Sequence, residues 1–399
     1  MNLSRIAEKI KPSGTIKIST KVKNMVQEGI SVIGFGMGEP DFDTPKNITD
    51  AAIKAIKDGF TRYTPTSGIL ELKEVICEKL LQDNGLQYSP TQVAVTIGAK
   101  QAVHNLLLVL CDSGDEVIIP APYWVSYPEQ VKMAGATPVF VHTDDGSGFK
   151  LTPESLKAAI TSRTKVLIIN SPSNPAGVVY TEEEMRALVS IAVENDIYIV
   201  SDEIYEKIIY DGMKHVSPAG FGDEFMGKVI TVNGFSKAYA MTGWRVGYAA
   251  GPEQIIKAAI RLQDHTTSCA NSIAQKAAVE ALRGDQTPVR HMVEQFDKRR
   301  RYMVEKLRGL EGISCTMPEG AFYVFPNVSG LYGRSMSGIE VSNSTEFVEM
   351  LIEKAGVALV PGVCFGSDNH VRISFATNMK HIEEGMDRLQ EVLTSQGAP

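Results

Sequence analysis

Between about Thr44 and Arg283, short runs of β-branched and other apolar residues alternate with longer stretches whose apolar positions recur at helical spacing. That alternation predicts a mostly parallel sheet covered by helices. Seven strand candidates stand out: Val93 to Ile97, Glu116 to Pro120, Pro138 to His142, Lys165 to Ile169, Asp196 to Val200, Val229 to Asn233 and Val246 to Ala250. Helix-length patterns lie between several of them, such as Gln101 to Leu110 and Thr181 to Glu194, the latter opening on a Thr-Glu-Glu-Glu cap signal. Ligands of such sheets bind near the carboxyl ends of the strands.

After Gly284 the pattern changes. A long charged helix is expected from Arg290 to Leu310, and its basic run Lys298 to Arg301 reads as a solvated helix face. Shorter strands follow at Ala321 to Pro326, Val357 to Pro361 and Val371 to Phe375, then a helix from Lys380 to Leu393. The expected organisation is a large α/β domain over 44–285 and a smaller α+β domain made of 286–399 joined by 1–43. No repeat, low-complexity tract or linker interrupts it.

A chain of 399 residues that is 43% hydrophobic buries a large core, and its net charge of −7 argues against nucleic acid and anionic membranes as partners. Five cysteines, odd in number and never spaced CxxC, indicate neither a disulfide framework nor a cysteine-ligated metal. No export signal or membrane span is evident, so a cytoplasmic location is expected.

The most informative stretch is Gly234-Phe-Ser-Lys237-Ala-Tyr-Ala-Met-Thr-Gly-Trp-Arg245-Val-Gly247, which follows a strand and sets an isolated lysine among small residues. A lysine amine there can form a Schiff base with an aldehyde cofactor, and Arg245 offers a planar fork to a phosphate. Asn170-Ser-Pro-Ser-Asn174-Pro-Ala-Gly177 and Ser201-Asp202-Glu-Ile-Tyr205 also follow apolar strands. Taken alone, Asn-Pro is a turn and Asp after a strand is a helix cap. Glycines 34, 36 and 38 do not form GxGxxG, which removes the dinucleotide-dependent oxidoreductase reading.

Together these segments resemble the class I aminotransferases of pyridoxal phosphate (PLP) fold type I, most closely the prokaryotic-type aspartate aminotransferases. The similarity runs from about Lys11 to Leu393 and includes Lys11-Pro-Ser, Gly38-Glu-Pro-Asp-Phe-Asp-Thr-Pro45, Tyr63-Thr-Pro, Gly98-Ala-Lys-Gln-Ala102, Pro122-Tyr-Trp-Val-Ser-Tyr127, Gly320-Ala-Phe-Tyr323 and Val371-Arg-Ile-Ser374. It implies a seven-stranded, mostly parallel sheet with helices on both faces plus a smaller α+β domain.

The resemblance implies that Lys237 carries the cofactor and later moves the substrate proton, and that Asp202 pairs with the protonated pyridine nitrogen. It implies that Asn174 and Tyr205 hydrogen-bond the phenolic oxygen and that Trp124 stacks on the ring. The phosphate would rest on the helix start at Gly98, Ala99 and Lys100, with Arg245 as counter-charge. Ser236 would add a hydroxyl there, although many relatives carry a serine at the position of Gly234. Tyr63 would reach the phosphate of a neighbouring subunit, which implies a homodimer with shared sites. Arg372 would clasp the substrate α-carboxylate, with Gly38 leaving room beside it.

Thr15 and Lys100 match the pair that recognises a distal carboxylate in the subgroup resembled. They imply aspartate as donor and 2-oxoglutarate as acceptor, with Lys11 extending the acceptors to prephenate. Two other readings stay open: an aromatic- or alanine-type aminotransferase, and a PLP-dependent C–S lyase. A PLP-sensing transcription regulator would need a DNA-binding domain, for which the sequence before residue 11 leaves no room.

Overall fold

The computed structural model describes residues 3–12 and 14–395, with the side chains at positions 5, 9, 15–17 and 19 outside that description. Expectations for the Thr15 side chain therefore fall outside the described residues. The first helix needed below is α1 (Lys46–Lys57). Seven strands then form one sheet: β1 (Val93–Thr96), β2 (Glu116–Ala121), β3 (Thr137–His142), β4 (Thr164–Asn170), β5 (Tyr198–Asp202), β6 (Val229–Gly234) and β7 (Gly247–Ala250). Their order is β1-β7-β6-β5-β4-β2-β3. All neighbours run parallel except β7, which is antiparallel to β1 and β6. The expected strands are present, and the largest boundary change is at β5, where Asp196 is left-handed (φ 60°) and precedes the strand.

Alternate residues along these strands enter opposite cores. Val117, Ile119, Val166 and Ile168 lie on one side, and Ile118, Leu167 and Ile169 on the other. Burial on both faces is why the strands read as near-continuous apolar runs. The first side is covered by α2 (Ala99–Leu110) and α3 (Tyr127–Met133), and the second by α4 (Glu182–Glu194) and α5 (Ser272–Arg283). The predicted cap of α4 is reciprocal: the Glu184 amide donates to Thr181 Oγ1 (3.3 Å), and the Thr181 amide to the Glu184 carboxylate (2.8 Å).

A third core gathers α6 (Thr287–Arg308), α7 (Met379–Thr394) and an antiparallel sheet of β8 (Tyr323–Val324), β9 (Val360–Pro361) and β10 (Val371–Ser374), in the order β9-β10-β8. Ile33 and Phe35 join it, and Ile33–Gly34 pairs in parallel with Val357–Ala358. The single strand expected over Val357 to Pro361 is two: Val357–Ala358 pairs toward residue 33 and Val360–Pro361 toward β10, with buried Leu359 between them. Ala321 to Pro326 is shortened to two residues of strand, since Ala321 is left-handed (φ 57°).

Only half of the basic run on α6 is a solvated face: Lys298 and Arg301 are exposed, while Arg299 and Arg300 are buried. Arg299 reaches Asp41 at 2.7 Å, and Arg300, fully buried, is bound by both oxygens of Asp211 (2.7 and 2.9 Å), by Asp297 and by the Pro318 carbonyl (2.6 Å). Its guanidinium also lies over the Tyr210 ring at 4.4 Å. Helical periodicity sets positions 299 and 300 on the same stripe as the buried Met292, Phe296, Met303 and Leu307. The result is a clamp between α6 and the segment that follows β5.

Replacing Arg300 with methionine removes the buried cation between Asp211 and Asp297 and leaves both carboxylates only the exposed Arg301. Since Asp211 and Asp297 remain partly in water and keep Arg301, the expected loss falls below that of a fully buried pair, about 1–2 kcal/mol, read from denaturant unfolding. An unchanged midpoint would contradict the clamp.

Candidate active site

The carboxyl ends of adjacent strands place polar groups in one cavity of about 370 Å³. β4 ends at Asn170 and β5 at Asp202, and the two are fixed together because Asn170 Nδ2 donates to the Asp202 carbonyl at 2.9 Å. Asn170 Oδ1 accepts the amide of Asn174 at 2.8 Å, which holds the turn carrying Asn174 against the cavity. Asp202 is buried, and its Oδ2 accepts from the hydroxyl of Tyr127, the first residue of α3, at 2.6 Å. Burial pushes the Asp202 carboxyl up to about 6, against the Tyr127 and Ile204 hydrogen bonds that lower it.

β1 leads through Gly98 into α2, whose first amides have no preceding turn to bind. Gly98 has φ 77°, and a Cβ there would lie 2.6 Å from Arg245 Nη2; one on Gly247 would lie 2.6 Å from the Ala99 nitrogen. Both positions require glycine, and the start of α2 with Arg245 forms a concave cationic cradle. Arg245 donates to the Thr242 carbonyl at 2.8 Å, and no carboxylate pairs with it among the described residues.

Lys237 lies in the segment after β6, beneath residues 36–44. Its Nζ donates to the Gly38 carbonyl at 2.5 Å, Thr242 donates to Glu39 at 2.9 Å, and Trp244 donates to Thr44, which donates to the Ala240 carbonyl. Burial lowers the Lys237 ammonium to about 8, helped by Arg372 and Arg245 and opposed by Glu39 and Asp202. Burial, then Arg245, also lowers Lys100, whose ammonium sits 4.9 Å from the Trp124 ring centroid.

Arg372 on β10 is buried. Its guanidinium donates to Asn174 Oδ1 (3.0 Å) and the Gly36 carbonyl (2.8 Å), lies over the rings of Tyr323 (4.4 Å) and Phe365 (4.9 Å), and leaves Nε without a partner. No carboxylate pairs with it among the described residues. A buried cation satisfied only by neutral acceptors and aromatic faces has the chemistry to take up an anion.

The cavity wall therefore brings together Gly38, Ala99, Lys100, Trp124, Asn174 and Asp202 with Tyr205, Ser236, Lys237, Arg245 and Arg372. Gly234 is not part of it. Tyr63 lies away from it, 91% exposed, and Lys11 lines an adjoining cleft of about 890 Å³ that shares Lys100 and Arg245. Among the cavity residues without a role assigned from sequence are Tyr127 and Tyr323. Both stood inside quoted motifs, yet their partners are 75 and 118 residues away, beyond any local pattern.

Residues 30–389 match the family model for class I and II aminotransferases. An aspartate aminotransferase of Geobacillus stearothermophilus is 49% identical over 393 residues, covering 98% of this chain and 99% of its own. An aspartate/prephenate aminotransferase of Cereibacter sphaeroides is 47% identical over 390 residues, 97% and 98% of the two chains. Among solved structures, the aspartate aminotransferase of Rhizobium meliloti aligns with TM-score 0.95 at 42% identity over 98% and 99% of the chains. That of Thermus thermophilus with maleate aligns with TM-score 0.93 at 42% identity, over 98% and 100%.

The Asp202 carboxyl has a signed effect on stability. Its folded value of about 6 lies above an ordinary 3.8, so the folded state holds the proton more tightly and loses stability as pH rises between those values. In cofactor-free protein, Asp202→Asn is expected to gain on the wild type by up to about 3 kcal/mol between pH 4 and pH 7. A wild-type-minus-variant difference in thermal stability that stays flat across that range would refute the assignment.

Proposed function

The chain belongs to the class I and II aminotransferases, and from that premise we propose that it is a PLP-dependent aspartate aminotransferase, converting L-aspartate and 2-oxoglutarate to oxaloacetate and L-glutamate in a ping-pong cycle. The observation that carries this reading is Arg372, a buried guanidinium with no carboxylate partner among the described residues, in one cavity with a lysine whose ammonium is destabilised.

The residues present fit the cofactor. The glycine-lined cradle at Gly98 with Arg245 suits a phosphate dianion, and the buried Asp202 suits a protonated ring nitrogen, whose positive charge would keep the carboxylate ionised. Tyr205 and Asn174 suit the phenolic oxygen, Trp124 the ring face, and Ala99, Lys100 and Ser236 the phosphate rim. Bound PLP supplies an electron sink for the pair left behind when the substrate Cα gives up its proton.

The chain's own groups do the rest. Arg372 clasps the α-carboxylate against Asn174 and Gly38, fixing the Cα beside Lys237. Lys237 would hold the cofactor, and its Nζ, when free, would be the base that takes up and returns the substrate Cα proton. An amine titrating near 8 is neutral in a useful fraction at physiological pH. Lys100 faces both the site cavity and the adjoining cleft, a position suited to a distal carboxylate, and Lys11 in that cleft extends the acceptors to prephenate. The relative solved with maleate was bound to a four-carbon dicarboxylate.

The working unit in this reading is a cytoplasmic homodimer with shared sites, each subunit a large unit of 44–285 and a smaller unit of 1–43 with 286–399. An aromatic residue as exposed as Tyr63, with Ile53 and Ile56 on α1 and Leu70 exposed as well, supports a covering partner. No described helix is long and apolar enough to cross a membrane.

The test mixes PLP-loaded protein with single amino acids, without an oxo acid, and follows the cofactor absorbance. Aspartate and glutamate should convert it to the aminated form while alanine and phenylalanine leave it unchanged. Ammonia and pyruvate accumulating with the band intact would make the chain a lyase. Lys237→Ala should lower turnover at least 10²- to 10⁴-fold in order of magnitude, and Arg372→Ala should raise KM for both substrates roughly 10²-fold.

A further inference from the structure

The carboxylate clamp and the group assigned to the cofactor's phenolic oxygen are joined by one side chain that the mechanism above does not use. Tyr323, 1% exposed on β8, lies with its ring beneath the Arg372 guanidinium and its hydroxyl 2.9 Å from that of Tyr205. It is fixed from both sides. Its backbone pairs with Ser374, two residues beyond Arg372 on β10, and its ring packs on Phe322 at 4.8 Å. A Cβ at position 38 would lie 3.0 Å from the Tyr323 oxygen, so Gly38 keeps that hydroxyl its space.

We propose that Tyr323 is a positioning residue with two separable tasks: its ring orients Arg372 for the substrate carboxylate, and its hydroxyl donates to Tyr205. The second task follows from counting protons, and it rests on the cofactor reading above. Tyr205 has one O–H. When that proton is given to the phenolic oxygen, the contact with Tyr323 persists only as a bond in which Tyr323 donates. A donor onto the Tyr205 oxygen polarises its O–H and strengthens the bond beyond it. Tyr323 would thus act on the cofactor's proton affinity through the Tyr205 hydroxyl.

The experiment is a pH titration of the cofactor absorbance in holoenzyme, comparing wild type, Tyr323→Phe, Tyr205→Phe and the double variant. Tyr323→Phe should raise the titration midpoint by roughly half a pH unit, a fraction of one hydrogen bond. It should add nothing in the Tyr205→Phe background, because the effect passes through that hydroxyl. Tyr323→Leu, which also removes the ring, should raise KM for aspartate and for 2-oxoglutarate about tenfold, with kcat falling less. An unmoved midpoint in Tyr323→Phe, or the same shift with and without the Tyr205 hydroxyl, overturns the proposal while leaving the aminotransferase reading intact. A wild-type protein that shows no cofactor band overturns the cofactor reading and this inference with it.

Discussion

Holding a guanidinium inside a protein without a carboxylate beside it is unfavourable unless other groups replace its water, and much of this structure is arranged around doing so for Arg372. Its two hydrogen bonds come from Asn174, after β4, and from the carbonyl of Gly36, while its faces are covered by Tyr323 and Phe365. Each of those partners belongs to a different part of the chain. The clamp exists only where the large sheet, the small antiparallel sheet and residues 33–36 are all in register.

The same arrangement sets the character of Lys237. Its ammonium is penalised by burial and by Arg372, and is offered a single carbonyl, that of Gly38. Arg300 is the contrasting case: equally buried, but closed by Asp211 and Asp297. Buried arginines thus fill two roles in one molecule. One is compensated and clamps segments together; the other is left without a carboxylate among the described residues, open to an anion.

Much of this was legible in the sequence where the cause is local. Strands buried on both faces read as apolar runs, Thr181 announced the start of α4, and Asn170 and Asp202 stood just after such runs, where a parallel sheet presents its ligand groups. What was not legible is what depends on distant partners. The Tyr127–Asp202 bond and the Tyr205–Tyr323 bond join residues brought together only by the fold. Within Lys298 to Arg301 the charge alone does not separate the exposed Lys298 and Arg301 from the buried Arg299 and Arg300; the helical phase does. The stripe through Met292, Phe296 and Met303 marks positions 299 and 300 as inward.

The bond between Arg372 and the Gly36 carbonyl spans 336 residues of sequence. An interaction closed over so long a loop contributes nothing to early, local stages of folding, because the entropy of bringing its ends together is offset only when the intervening structure already stands. Any anion taken up at Arg372 would therefore be confined to molecules that have finished assembling. A carboxylate ligand held there would stabilise the complete fold alone and give no shelter to partly built chains, and so would discriminate between mature and immature copies of the protein in any mixed population.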